Sequence, residues 1–72
     1  MKVGDKIQVR FRERGWVEMT ITSVGEESFW CVEDSNPEED YLLYKNRPLK
    51  DWEQQWGNYV EEFKTDGNGL AG

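Results

Sequence analysis

The side chains able to do chemistry in this 72-residue sequence are a single thiol, several closely spaced carboxylates and a group of aromatic rings standing next to them. Cys31 is the only cysteine and the chain has no histidine, so the thiol lacks the base that ordinarily turns it into a nucleophile. Its place between Trp30 and Val32, in a strand-like run, reads as a buried, inert thiol. Carboxylates occur in runs of two or three at Glu26-Glu27, Glu33-Asp34, Glu38-Glu39-Asp40 and Glu61-Glu62, but so short a chain offers no sizeable cleft for an acid and a base to flank. The stretch Asp34-Ser35-Asn36-Pro37-Glu38 opens like a calcium loop. It then lacks the glycine at the sixth position, and Lys45 stands where the bidentate glutamate belongs. Asp66-Gly67-Asn68-Gly69 is too short for such a loop. These residues argue against an enzyme and against a metal or other cofactor, and they leave binding as the chemistry to explain.

Two binding surfaces can be read from the pattern. Trp16 falls on an outward-facing position, Trp30 does so if Phe29 and Cys31 point in, with Phe29 outward in the reverse register, and Tyr41 and Tyr44 point to opposite faces, so that one of them joins the surface. With Glu33, Asp34, Glu38, Glu39 and Asp40, the set Trp16, Trp30 and Tyr41 would make an aromatic surface with acid at its rim. That combination holds a cationic side chain by cation–π contact and charge; a proline-rich ligand is a variant of the same reading. The alternative is that the rings pack as a second small core. The other surface is basic: Lys6, Arg10, Arg12 and Arg14 cluster in the first hairpin and could meet nucleic-acid phosphate. Against it stands the total of 15 acidic and 9 basic residues, a net charge of −6, which would repel a duplex. The same cations could instead pair with Glu18 across the hairpin. Residues 1–25 carry a net +2 and residues 26–72 a net −8, so acidic mimicry of DNA aimed at a nucleic-acid enzyme is a further alternative.

The elements that must position these groups follow from periodicity. Residues Lys6 to Arg12 alternate polar and apolar, a strand with Ile7, Val9 and Phe11 facing in. Glu13-Arg14-Gly15 is a turn, and a second alternating strand runs from Trp16 to Val24 with Val17, Met19 and Ile21 inward. Val24 breaks the parity, which places a bulge or bend near Ser23. Ser28 to Glu33 is a third strand, apolar on both faces and ambiguous in register. Asp34 to Asp40 reads as a loop, Tyr41 to Tyr44 as a fourth strand and Arg47-Pro48-Leu49 as a possible fifth. Leu49, Trp52, Trp56, Tyr59, Val60 and Phe63 then follow helical spacing, predicting an amphipathic helix over about 51–63 with Asp51 as its cap. That aromatic stripe could also seal a homodimer. Residues 1–66 form one domain in this reading, and the glycine-rich 67–72 a disordered tail. No apolar run approaches a membrane span and the N-terminus lacks a signal peptide's apolar stretch, so the expectation is a cytoplasmic protein that does not engage membranes.

Short strands with tight turns and a bend in the second suggest a small antiparallel barrel. Val3-Gly4-Asp5-Lys6, Gly15-Trp16, Trp30-Cys31-Val32-Glu33-Asp34 and Arg47-Pro48-Leu49-Lys50 together resemble the Tudor/SH3-like small barrels. More narrowly they resemble the short barrels of that type encoded by phages and prophages. The resemblance spans roughly residues 3–63. It implies a mainly β, SH3-like (Tudor-like) barrel of four or five strands closed by a C-terminal helix, acting as a non-catalytic module. In Tudor domains an aromatic pocket takes methylated lysine or arginine, so the resemblance points to a basic protein or peptide partner.

Overall fold

The computed structural model describes residues 1–65; the expected tail at 67–72 lies outside them. Five strands follow one another as β1 (Lys6–Phe11), β2 (Gly15–Val24), β3 (Ser28–Glu33), β4 (Asn36–Tyr44) and β5 (Val60–Thr65), with a three-residue 3-10 turn, Asp51–Glu53, between the last two. They form one antiparallel sheet in the order β4-β3-β2-β1-β5. The first four make a meander of hairpins, and β5 returns to the free side of β1. β4 and β5 do not pair, so the sheet curls without closing into the expected complete barrel.

Alternation in the sequence dictates the core. Ile7, Val9 and Phe11 of β1 and Met19 and Ile21 of β2 are buried on one face, joined by Phe29 and Cys31 of β3, Tyr41 and Leu43 of β4, Leu49 of the following loop and Val60 of β5. The β3 register left open by the sequence is thereby settled: Phe29 and Cys31 point in, Trp30 out. Gly15 has φ +78°, the left-handed conformation that its hairpin turn requires. The parity break in β2 is a bulge: Ile21 pairs with Cys31 and Ser23 with Trp30, leaving Thr22 as the extra residue.

Three expectations are corrected. The acidic stretch from Asp34 is not a loop throughout, because β4 starts at Asn36 after a turn of two residues. β4 is the outer strand of the sheet, where Pro37 breaks no ladder and Glu38 and Asp40 are exposed, while Glu39 is half-buried with an oxygen 3.5 Å from the Tyr41 hydroxyl. Arg47-Pro48-Leu49 forms no strand and delivers Leu49 to the core from a loop.

Most consequentially, no helix spans 51–63. After the 3-10 turn the chain reverses at Trp56 and Gly57, with φ of 55° and 72°, and continues as β5. The helical spacing was imitated by a second bulge. Phe11 pairs with Val60 and Arg10 with Glu62, so Glu61 is the extra residue, and Val60 and Phe63 face the core although three positions apart. Trp52 and Trp56, the two tryptophans of the helix stripe, are 77% and 55% exposed. A homodimer sealed by that helix therefore has no structural basis.

The open side of β4 is covered by side chains of the same connection. Gln55 accepts a hydrogen bond from Leu42 N–H at 2.9 Å and donates Nε2 to the Leu42 carbonyl at 3.2 Å, as a neighbouring strand would. Trp56 donates its indole N–H to the Asp40 carbonyl at 2.7 Å.

Candidate functional site: an aromatic groove beside an acidic strand

The residues singled out as an aromatic and acidic surface divide between interior and exterior. Tyr41 is 0% exposed and Glu33 2%, so neither can face a partner. Both belong to a polar network inside the sheet. Arg14 donates Nη1 and Nη2 to the two oxygens of Glu33, each at 2.7 Å, a bidentate geometry that a guanidinium matches to a carboxylate. The Tyr41 hydroxyl donates to Glu33 at 3.2 Å and accepts Asn58 Nδ2 at 2.8 Å. The Arg14 hydrogen bonds outweigh burial and hold the Glu33 carboxyl below its usual range. Burial pushes the Tyr41 phenol up to about 12. Parity alone would have placed Glu33 inward with Cys31 and Phe29; its charge concealed this, since charged groups are rarely buried without a partner.

Asp34 is exposed but engaged. Its Oδ1 accepts the Thr20 hydroxyl at 2.6 Å and its Oδ2 the Lys6 ammonium at 2.9 Å, contacts that lower its carboxyl, the Thr20 bond most. The other cations of the first hairpin are paired as well. Arg10 Nη2 lies 2.6 Å from Glu62 and 3.6 Å from Glu61, and Arg12 Nε lies 3.2 Å from Glu61. The expected pairing with Glu18 does not form. The four cations reach instead to acids that are distant in sequence, on β3, in the β3–β4 turn and on β5. The division of charge along the chain is thus largely cancelled by folding around Lys6, Arg10, Arg12 and Arg14.

Trp16 and Trp30, 44% and 39% exposed, do not form one pocket. Trp16 sits opposite Arg10 near the start of β2, whereas Trp30 pairs with Ser23 near its end. At about 3.3 Å per residue, seven positions along a strand separate them by roughly 20 Å. Trp16 is also occupied from within, by the Lys64 ammonium at 4.6 Å and the Arg10 guanidinium at 5.9 Å from the ring centroid. Arg47 stacks at 3.9 Å on Tyr44, Arg12 at 3.7 Å on Tyr59, and Lys50 lies 5.3 Å from Trp52. Trp30 has no internal cation on it among the described residues.

Trp30 lies over a groove of about 270 Å³ lined by Leu42, Tyr44, Leu49, Glu53 and Gln55. β3 and β4 create it because Trp30 pairs with Leu42 and Ser28 with Tyr44, and all four point outward. Asp40 continues the line along β4, two residues from Leu42 and opposite Val32. Glu38, Glu39 and Asp40 make no ion pair among the described residues. At the other end, Arg47 donates to Glu53 at 2.8 and 2.9 Å, and Glu53 accepts the Lys50 N–H at 2.8 Å. These contacts, Arg47 first, lower the Glu53 carboxyl to about 2.

Of the two tyrosines weighed for the surface, Tyr41 is the buried one and Tyr44 lines the groove. Leu42, Gln55 and Glu53 were missed as site residues: Leu42 was assigned only to a strand, and the last two were hidden by the helical reading of 51–63. Cys31 is buried beneath this face, and burial pushes its thiol up to about 12, so it carries no thiolate at neutral pH. No family model, curated protein or solved structure matches this chain.

Proposed function

We propose that this chain is a non-catalytic SH3-like, Tudor-like small-barrel module, of the short phage-encoded kind, whose Trp30 groove docks an extended basic segment of a partner protein. The carrying observation is the half-exposed Trp30 ring, which bears no internal cation, set over an apolar groove that runs into the unpaired acids of β4. The order of the strands, with β5 returning to β1 after a 3-10 turn, supports the fold assignment. Trp30 supplies a flat face for a guanidinium or ammonium, and Leu42, Tyr44 and Leu49 accept the apolar stem of the same side chain. Glu38, Glu39 and Asp40 attract the positive segment and set its direction along the strand. Trp16 plays no part.

Extended Arg/Lys-rich peptides titrated into isotopically labelled protein should shift amide signals of Trp30, Leu42, Tyr44 and Gln55. Trp30→Ala should keep the circular dichroism spectrum and weaken binding at least tenfold, and Trp16→Ala should bind like the wild type. Shifts centred on the first hairpin, or no binding at about 1 mM peptide, the weak end of specific recognition, refute the reading.

A further inference from the structure

The two ends of the sheet differ in how they are covered. Along β4, Gln55 and Trp56 satisfy the outward backbone groups of Leu42 and Asp40, and Pro37 has no N–H to offer. Along β5 only the first residue is treated in this way, Val60 N–H donating to Gln54 Oε1 at 2.8 Å. From Glu61 to Thr65, no backbone hydrogen bond other than the ladder to β1 occurs among the described residues. Beside this bare edge a cleft of about 310 Å³ opens between β5 and the end of β4, walled by Leu43, Tyr44, Leu49, Val60 and Phe63. An uncovered strand edge next to an apolar cleft is a template for another strand.

We propose that β5 pairs antiparallel with β5 of a second copy, about a two-fold axis at Phe63, joining the two sheets edge to edge. Charge selects both the occupant and the register. With the axis at Phe63, each Glu62 lies directly opposite Lys64 of the other copy, so two opposite-charge pairs flank the two phenylalanines. An axis at Glu62 or at Lys64 sets like charges against each other. A shift by a single residue sets outward side chains beside inward ones, and an in-register parallel pair stacks glutamate on glutamate and lysine on lysine. Glu62 and Lys64 already project from the outer face, where Arg10 and Trp16 hold them. The interface is one strand wide, so the dimer is weak, with Kd on the order of 100 μM. Tyr44 and Leu49 line both the cleft and the Trp30 groove, but Trp30 itself takes no part in the pairing.

Sedimentation equilibrium from about 10 μM to 1 mM, a range bracketing that Kd, tests the proposal through reciprocal charge reversal. Wild type should pass from monomer to dimer. Lys64→Glu places glutamate opposite glutamate, Glu62→Lys places lysine opposite lysine, and each variant alone should stay monomeric. Mixed one to one, the two restore both opposite-charge pairs and should form a heterodimer. Wild-type protein that is monomeric throughout, either variant dimerising alone like the wild type, or a mixture that stays monomeric overturns the proposal. Should a variant not fold, amide exchange on the wild type decides: protection of Glu61 to Thr65 must rise with concentration. Trp30→Ala must dimerise like the wild type, which separates this interface from the docking groove.

Discussion

Replacing Arg14 by methionine removes the only cation that, among the described residues, faces a carboxylate that is 2% exposed. Glu33 loses two charge-assisted hydrogen bonds of 2.7 Å and keeps one from Tyr41 at 3.2 Å. Removing one partner of a fully buried pair costs about 3–5 kcal/mol. The Arg14 side chain is 38% exposed, so water enters where it leaves, and the expected loss is about 2–3 kcal/mol. For a domain of this size that lowers Tm by roughly 10–20 °C, measurable by thermal or urea unfolding. Replacing both residues, as Arg14→Met with Glu33→Met, leaves no orphaned charge and should recover at least half of the loss.

The pH dependence carries the sharper test. In the wild type the folded Glu33 carboxyl is lowered, so its contribution is present above the unfolded value of about 4.3 and is lost as pH falls through the folded value. In Arg14→Met burial acts without the cation and raises that carboxyl; the penalty is then full at neutral pH and disappears as pH falls. The stability gap between the two proteins should be widest near pH 7 and narrow toward pH 4. A loss below about 0.5 kcal/mol, or a gap independent of pH, would refute the assignment of Glu33 to a buried ion pair.

Gln55→Glu keeps an acceptor for Leu42 N–H but loses the donor to the Leu42 carbonyl and sets two oxygens together, so urea unfolding should show a loss of about 1–2 kcal/mol at pH 7 that shrinks under acid. Carbon-detected NMR titration should place the Glu53 carboxyl near 2, and Arg47→Gln should return it toward the free value of about 4.3; an unchanged midpoint would show that Arg47 does not set it.

What could be read from the chain and what could not differ by the range of the interactions involved. The first three strands, the inward set Ile7, Val9, Phe11, Met19 and Ile21, and the bulge near Ser23 are local matters of period and parity, and all were legible. The last quarter was misread because a bulged strand and a helix can share a spacing of three. Which one forms is decided by β1, whose free side offers a ladder to Val60–Thr65 that no neighbouring residue announces. Charges behaved likewise. That a surface would carry −6 was fixed by composition. That Arg14 would bury Glu33, that Arg10 and Arg12 would be taken by Glu61 and Glu62, and that Trp30 alone of the two proposed tryptophans would be left open depended on contacts between residues far apart in sequence. Backbone preference and alternation act over a few residues and are written in the sequence; the pairing of side chains across strands exists only once the sheet has curled, and that step alone separated Trp30 from Trp16.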